Sequence, residues 1–223
     1  MNPCFNYHMS KIFGFLKKVI FYYLIIFSFT NIITAEEETL LILGDSISAG
    51  YGIDQKDNWV SLMQEKFNEE GTLLKLINSS VSGDTTSGGL ERLKKDLKKF
   101  KPDFVLIELG GNDGLRGYPI KRIKDNLEEM IALIKNSNSK VLLMQIRIPP
   151  NYGQKYTFAF EKIYTELSMS KKVYLLPFML EDIGINKDLM QPDGIHPNKE
   201  AQELIAKNVK ESLEKVLLFK QTN

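Results

Sequence analysis

Five short apolar runs, separated by segments of helical spacing, constrain this chain more than any other feature. Residues 40–43, 73–77, 104–109, 141–146 and 173–176 are rich in Leu, Ile and Val and too short for helices. Between them apolar side chains recur every three or four positions: Val60, Met63 and Phe67; Leu90, Leu93 and Leu97; Leu127, Ile131 and Ile134; Ile163 and Leu167; then Leu204, Ile205, Val209 and Leu213. Strands alternating with helices need a crossover for each return, which makes the strands parallel. The runs are predominantly apolar rather than alternating, as in a sheet covered on both faces. The expected fold class is α/β, a three-layer α/β/α sandwich around a five-stranded parallel sheet in the flavodoxin-like order 2-1-3-4-5. No repeat, low-complexity tract or linker marks a second domain.

The amino-terminal segment has another character. Lys11, Lys17 and Lys18 precede an apolar stretch at 19–33, broken only by Ser28, Thr30 and Asn31, and Ala35 precedes Glu36-Glu37-Glu38. About fifteen apolar residues fall short of the roughly twenty that a spanning helix needs, and a small residue followed by acids has the form of a cleavage site. Residues 1–35 are therefore expected to be a signal peptide, cleaved near Ala35, and 36–223 a single domain; the other reading is an uncleaved anchor. Cleavage removes Cys4, the one cysteine, and His8, so no disulfide or thiolate metal site is available and His196 is the sole remaining histidine. The formal charge moves from +1 to about −2, since three lysines and no acids leave, and a near-neutral balance gives no electrostatic case for nucleic acid.

A parallel sheet gathers the carboxyl ends of its strands on one edge, where open α/β sheets place their sites. Gly44-Asp45-Ser46 follows the first run, Ser80 to Gly89 the second and Gly110-Gly111-Asn112-Asp113-Gly114 the third; all are small, polar and Gly-rich. Turns need such residues anyway. Together, however, they hold parts of an acyl-transfer site: a serine, backbone N–H groups left open by glycine, and a side-chain amide. Ser46 lacks the Gly-x-Ser-x-Gly pattern of a nucleophile elbow, so another device must activate it. Ser46 N–H, Gly83 N–H and the Asn112 amide are candidate oxyanion donors, although Gly83 also fits a turn glycine and Asn112 an Asx-type cap. Asp193 and His196, between Pro192 and Pro197, are three residues apart. One tight turn brings the carboxylate to Nδ1 and leaves Nε2 to take the serine proton.

Rival chemistries lack their parts. One histidine without cysteine does not build a zinc site, and 83–89 lacks the endings of a P-loop or dinucleotide loop. Lys94, Lys95, Lys98 and Lys99 share a helix with Glu91 and Asp96, and read as a solvated face. Trp59 reads as core.

Gly-Asp-Ser-Ile-Ser at 44–48, Gly83, Gly-Gly-Asn-Asp-Gly at 110–114 and Asp-Gly-Ile-His-Pro-Asn at 193–198 resemble the four ordered blocks of the SGNH, or GDSL-type, hydrolases. The longer strings resemble the branch of multifunctional periplasmic acyl-CoA thioesterases and lysophospholipases of Gram-negative bacteria. The resemblance implies Ser46 as nucleophile, Asp193 and His196 completing the catalytic set, and an oxyanion hole of Ser46, Gly83 and Asn112. It implies that Asp45 braces the serine loop. It also implies substrate-binding positions at Asp45, at Gly111, Asp113, Leu115, Tyr118 and Pro119 within a mobile loop from Gly111 to Pro119, and at Ile148, Pro150 and Tyr152 across the groove. No cofactor and no metal are expected. The partners are an acyl ester or thioester and a transient lipid contact, with no nucleic acid; the protein is expected to be a monomer, periplasmic or secreted. A carbohydrate deacetylase, or a non-catalytic acyl- or glycan-binding module on the same scaffold, are the alternatives.

Overall fold

A computed structural model describes residues 36–221, with positions 15 and 17 besides; side chains are described to residue 216. The chain divides into two compact units, Met1–Glu36 and Glu37–Asn223, and the second holds the sheet and its helices. The signal-peptide expectation falls outside the described residues.

Five strands form one parallel sheet in the order β2-β1-β3-β4-β5: β1 (Glu38–Gly44), β2 (Leu74–Asn78), β3 (Phe104–Glu108), β4 (Lys140–Met144) and β5 (Tyr174–Leu176). This is the expected order. The helices are α1 (Ser46–Ala49), α2 (Trp59–Glu69), α3 (Thr86–Phe100), α4 (Gly111–Leu115), α5 (Ile120–Asn136), α6 (Gln154–Lys171) and α7 (Lys199–Gln221). α2 packs on α7, while α3, α5 and α6 pack in succession, giving two helical layers. Leu40 to Leu43 and Val105 to Ile107 are almost completely buried, which accords with a sheet covered on both faces. Each such side chain contributes roughly 1.5–3 kcal/mol of apolar transfer free energy.

The helices bury most of the periodic stripes read from the sequence, although Leu204 is exposed and Leu90 half-buried. Val60, Met63 and Phe67 lie inward on α2, as do Leu127, Ile131 and Ile134 on α5. Trp59 is fully buried core. The lysines of α3 are exposed as expected, but Asp96 among them is buried and pairs with Arg92 at 3.0 Å. The strand register sets Gly44 beside Glu108, which places the ends of β1 and β3 together.

Candidate active site

β1 ends at Gly44, and Asp45 caps the single turn of α1 by accepting from Ile47 N–H at 3.0 Å. Ser46 occupies the first helical position, where the N–H lies outside the helix's own hydrogen bonds. The loop after β2 runs alongside, with Val81 N–H donating to Gly44 O at 3.1 Å. The turn at 81–84 is closed by Asp84 N–H to Val81 O at 3.0 Å, and Gly83 within it has a left-handed φ of 80°. A turn glycine is thus what Gly83 is. The same conformation leaves its N–H uncommitted among the described residues.

The Asp193–His196 turn closes on Ser46 from the far end of the chain. Asp193 Oδ1 accepts from the N–H groups of Ile195 at 2.9 Å and His196 at 3.0 Å, and Oδ2 lies 2.7 Å from His196 Nδ1. His196 Nε2 is 2.8 Å from Ser46 Oγ. These contacts form an unbroken line from carboxylate through imidazole to hydroxyl. The backbone donation from His196, with the imidazole and Ile195 N–H adding to it, holds the Asp193 carboxyl down at about 2 against the opposing effect of desolvation. It is therefore ionised whenever an imidazole needs orienting.

Asn112 lies in α4 and reaches across loops rather than capping its own turn. Its Nδ2 donates to Asp45 Oδ2 at 3.1 Å and to Asp84 O at 3.0 Å. It therefore sits between the neighbour of Ser46 and the neighbour of Gly83, so the three candidate donors stand on adjoining residues. Both amide hydrogens are engaged, and an oxyanion here has to share one of them. Burial pushes the Asp45 carboxyl up to about 6, against its hydrogen bond from Ile47 N–H, the charge of His196 and its bond from Asn112.

Other expected contact residues fall into two groups. Gly111 is half-buried, and a Cβ there would lie 3.2 Å from Asp45 Oδ2. Leu115 and Tyr118 are half-buried, while Pro119, Pro150 and Tyr152 are exposed. Tyr152 Oη donates to Leu115 O at 2.9 Å and Tyr156 Oη to Tyr118 O at 2.7 Å, so the two loops flanking the expected groove are tied together. Two further expected positions, Asp113 and Ile148, are buried. Asp113 is fully buried and accepts from Thr86 N–H at 2.8 Å and Thr86 Oγ1 at 2.6 Å, anchoring the start of α3. Ile148 is buried beneath Gly114, where a Cβ would come within 2.7 Å of its Cγ2. Both are occupied holding α4 in place.

Several residues around the site have no counterpart among the sequence-based candidates. Arg92 donates to Asp84 at 2.8 Å, to Asp96 and Ser79 at 3.0 Å, and to Gly44 O at 3.4 Å, linking the Gly83 turn to the end of β1. The Tyr51 ring lies 4.5 Å from the His196 ring. Gln191 joins the two loops, donating from Nε2 to Tyr51 O at 2.8 Å and to Pro197 O at 3.0 Å. The i, i+4 spacing of Arg92 and Asp96 is the one signal in the sequence for the first of these.

Residues 42–204 match the model of the GDSL-like Lipase/Acylhydrolase family. The chain is similar to an arylesterase from Vibrio mimicus, 47% identical over 194 residues that span 87% of this chain and 97% of that one. It is 44% identical to thioesterase 1/protease 1/lysophospholipase L1 of Escherichia coli strain K12 over 186 residues, 83% of this chain and 86% of that protein. Among solved structures it is similar to the psychrotrophic esterase EstA from Pseudoalteromonas sp., inhibited by monoethylphosphonate in that structure. The TM-score is 0.80 and the identity 44%, covering 81% of this chain and 98% of that one.

Proposed function

This chain belongs to the GDSL-like lipase/acylhydrolase family, and from that premise we propose that it is a serine esterase whose acyl-enzyme forms on Ser46. It hydrolyses carboxylic and thiol esters. His196 Nε2 takes the Ser46 proton as Oγ attacks the carbonyl, and Asp193 holds the imidazole in the tautomer with Nδ1 protonated. The oxyanion is received by Ser46 N–H, Gly83 N–H and the Asn112 amide. His196 returns its proton to the leaving alcohol or thiol, then activates water to clear the acyl group.

The observation that carries this reading is the unbroken contact from Asp193 through His196 to Ser46, at 2.7 and 2.8 Å. The names of the similar proteins support arylesters, acyl thioesters and lysophospholipids as substrates. The reading includes a periplasmic or secreted monomer that touches lipid transiently while taking its substrate. Half-exposed Tyr51, Val81 and Ile195, on three loops at this edge of the sheet, offer apolar surface for an acyl chain.

The test is a chain-length series of p-nitrophenyl esters beside palmitoyl-CoA, lysophosphatidylcholine and acetylated xylan, with Ser46→Ala as the blank. Hydrolysis of esters and thioesters with medium or long acyl chains is expected. Turnover of acetyl groups alone would overturn the substrate class, and full activity in Ser46→Ala would overturn the mechanism.

A further inference from the structure

β3 carries an acid at its end among apolar neighbours. Glu108 is 3% exposed, and the register pairs it with Gly44, the last residue of β1. Gly44 is required there by close approach. A Cβ would stand 2.6 Å from Glu108 Oε2, 2.8 Å from Ser48 Cβ and 2.9 Å from Ser80 Oγ. Through the gap that glycine leaves, Glu108 Oε2 accepts from Ser48 Oγ at 2.7 Å and from Asp45 N–H at 3.3 Å. These donors flank Ser46 in the chain, one residue before it and two after.

The surroundings favour the uncharged acid. Asp45, a second buried carboxyl, faces Glu108 from the loop after β1, Ser48 faces it from α1, and the Tyr164 hydroxyl lies in the field of both acids from α6. Arg92, from α3, reaches Gly44 O at 3.4 Å but is paired with Asp84 and Asp96. Burial first, and the charge of Asp45 second, push the Glu108 carboxyl well above its ordinary range. Ser80 Oγ is buried with no hydrogen-bond partner among the described residues and stands at the same gap over Gly44, an acceptor beside the acid.

We propose that Glu108 is a positioning residue that works as a neutral carboxylic acid, gripping Asp45 and Ser48 and so fixing Ser46 between them. It touches no substrate. Its effect falls on the chemical step, because a nucleophile displaced by about 1 Å costs on the order of 10² in rate. The inference rests on Ser46 being the nucleophile.

The test compares Glu108→Gln with Glu108→Ala in the full chain, measuring kcat, KM and the pH profile on a p-nitrophenyl ester, with thermal unfolding alongside. Glutamine keeps an acceptor for Ser48 and Asp45 and, like the neutral acid, carries a hydrogen on the other atom. Glu108→Gln should hold kcat within about threefold of the parent, whereas Glu108→Ala should lose about 10² in kcat with little change in KM. The acid limb of the Glu108→Gln profile should stay in place, since no charge has been removed beside Asp45. Glu108→Gln as impaired as Glu108→Ala, or with its acid limb moved by about a unit to lower pH, would show that an ionised carboxylate is needed and overturn the proposal. Undiminished turnover in Glu108→Ala would also overturn it. If Glu108→Ala does not fold, Glu108→Gln alone decides. Ser46→Ala run in parallel separates the two levels: activity there defeats the nucleophile, while the Glu108 pair judges only its support.

Discussion

Asp45 adjoins Ser46 in the chain and Asp193 reaches it through His196, yet the two stand in opposite surroundings. Asp45 is 4% exposed, joined to Ile47 and Asn112, and burial raises its carboxyl to about 6. Asp193 is open to solvent, and hydrogen bonds from His196 and Ile195 lower its carboxyl to about 2. The difference divides the labour at the site. The buried half, at the ends of β1 and β3 with α4, holds atoms in place through shared hydrogen bonds at an electrostatic cost. The exposed half is one turn that sets a carboxyl held below its ordinary range behind an imidazole. Position comes from the interior and charge from the surface.

The largest expected effect removes the junction of the two halves. Ser46→Ala or His196→Ala should lower kcat by at least about 10⁴, with the thermal midpoint within a few degrees of the parent. Retained turnover on p-nitrophenyl esters would break the account at its centre. Next comes the exposed half alone. Asp193→Asn should cost about 10²–10⁴ in kcat without loss of stability, because the amide presents the wrong hydrogen pattern to Nδ1. From the buried half, Asn112→Ala should cost roughly 10²–10³ in kcat; a change confined to KM would remove it from the oxyanion site.

Smaller effects sharpen the division. Ser48→Ala takes a donor from buried Glu108 and should destabilise the fold by about 1–3 kcal/mol in urea unfolding. An unchanged midpoint would mean that the buried network holds nothing. The pH dependence separates the aspartates by sign. The folded pKa of Asp193 lies below that of a free aspartate, so its contribution is intact at ordinary pH and is lost only as pH falls towards about 2. Asp45 has a raised pKa, so ionising it opposes folding as pH rises towards about 6, and it gains a proton as pH falls through that value. His196 must also be neutral to act as a base. On the acid side log(kcat/KM) should therefore fall with a slope steeper than one. A slope of one would mean that Asp45 protonation is silent.

The exposed half is the more legible in the sequence. Asp193 and His196 are local neighbours, and a three-residue spacing carries their contact without knowledge of the sheet. The parallel pairing comes from the alternation of element types, and the strand order from the usual doubly-wound arrangement. The buried half depends on long-range placement. Glu108 lies within an apolar run and ends β3, and only the β1–β3 register puts it against Gly44 and beneath Ser48. Asp113 enters as a substrate contact only through the family resemblance. In α4 consecutive side chains point about 100° apart, so Asn112 reaches Asp45 while Asp113 turns inward to Thr86. Arg92 is hidden among solvated lysines although its i, i+4 partner Asp96 is buried. An acid at the end of an otherwise apolar strand is the signal for Glu108, since a charge there needs a reason.

The most direct test of the site is the rate of inactivation by a fluorophosphonate, followed by intact mass and peptide mapping from pH 5 to 8. One adduct per chain is expected, on the peptide containing Ser46, forming faster as pH rises through the histidine range and nearly abolished in His196→Ala. An adduct on another residue, or an undiminished rate in His196→Ala, would contradict a serine activated by the Asp193–His196 turn.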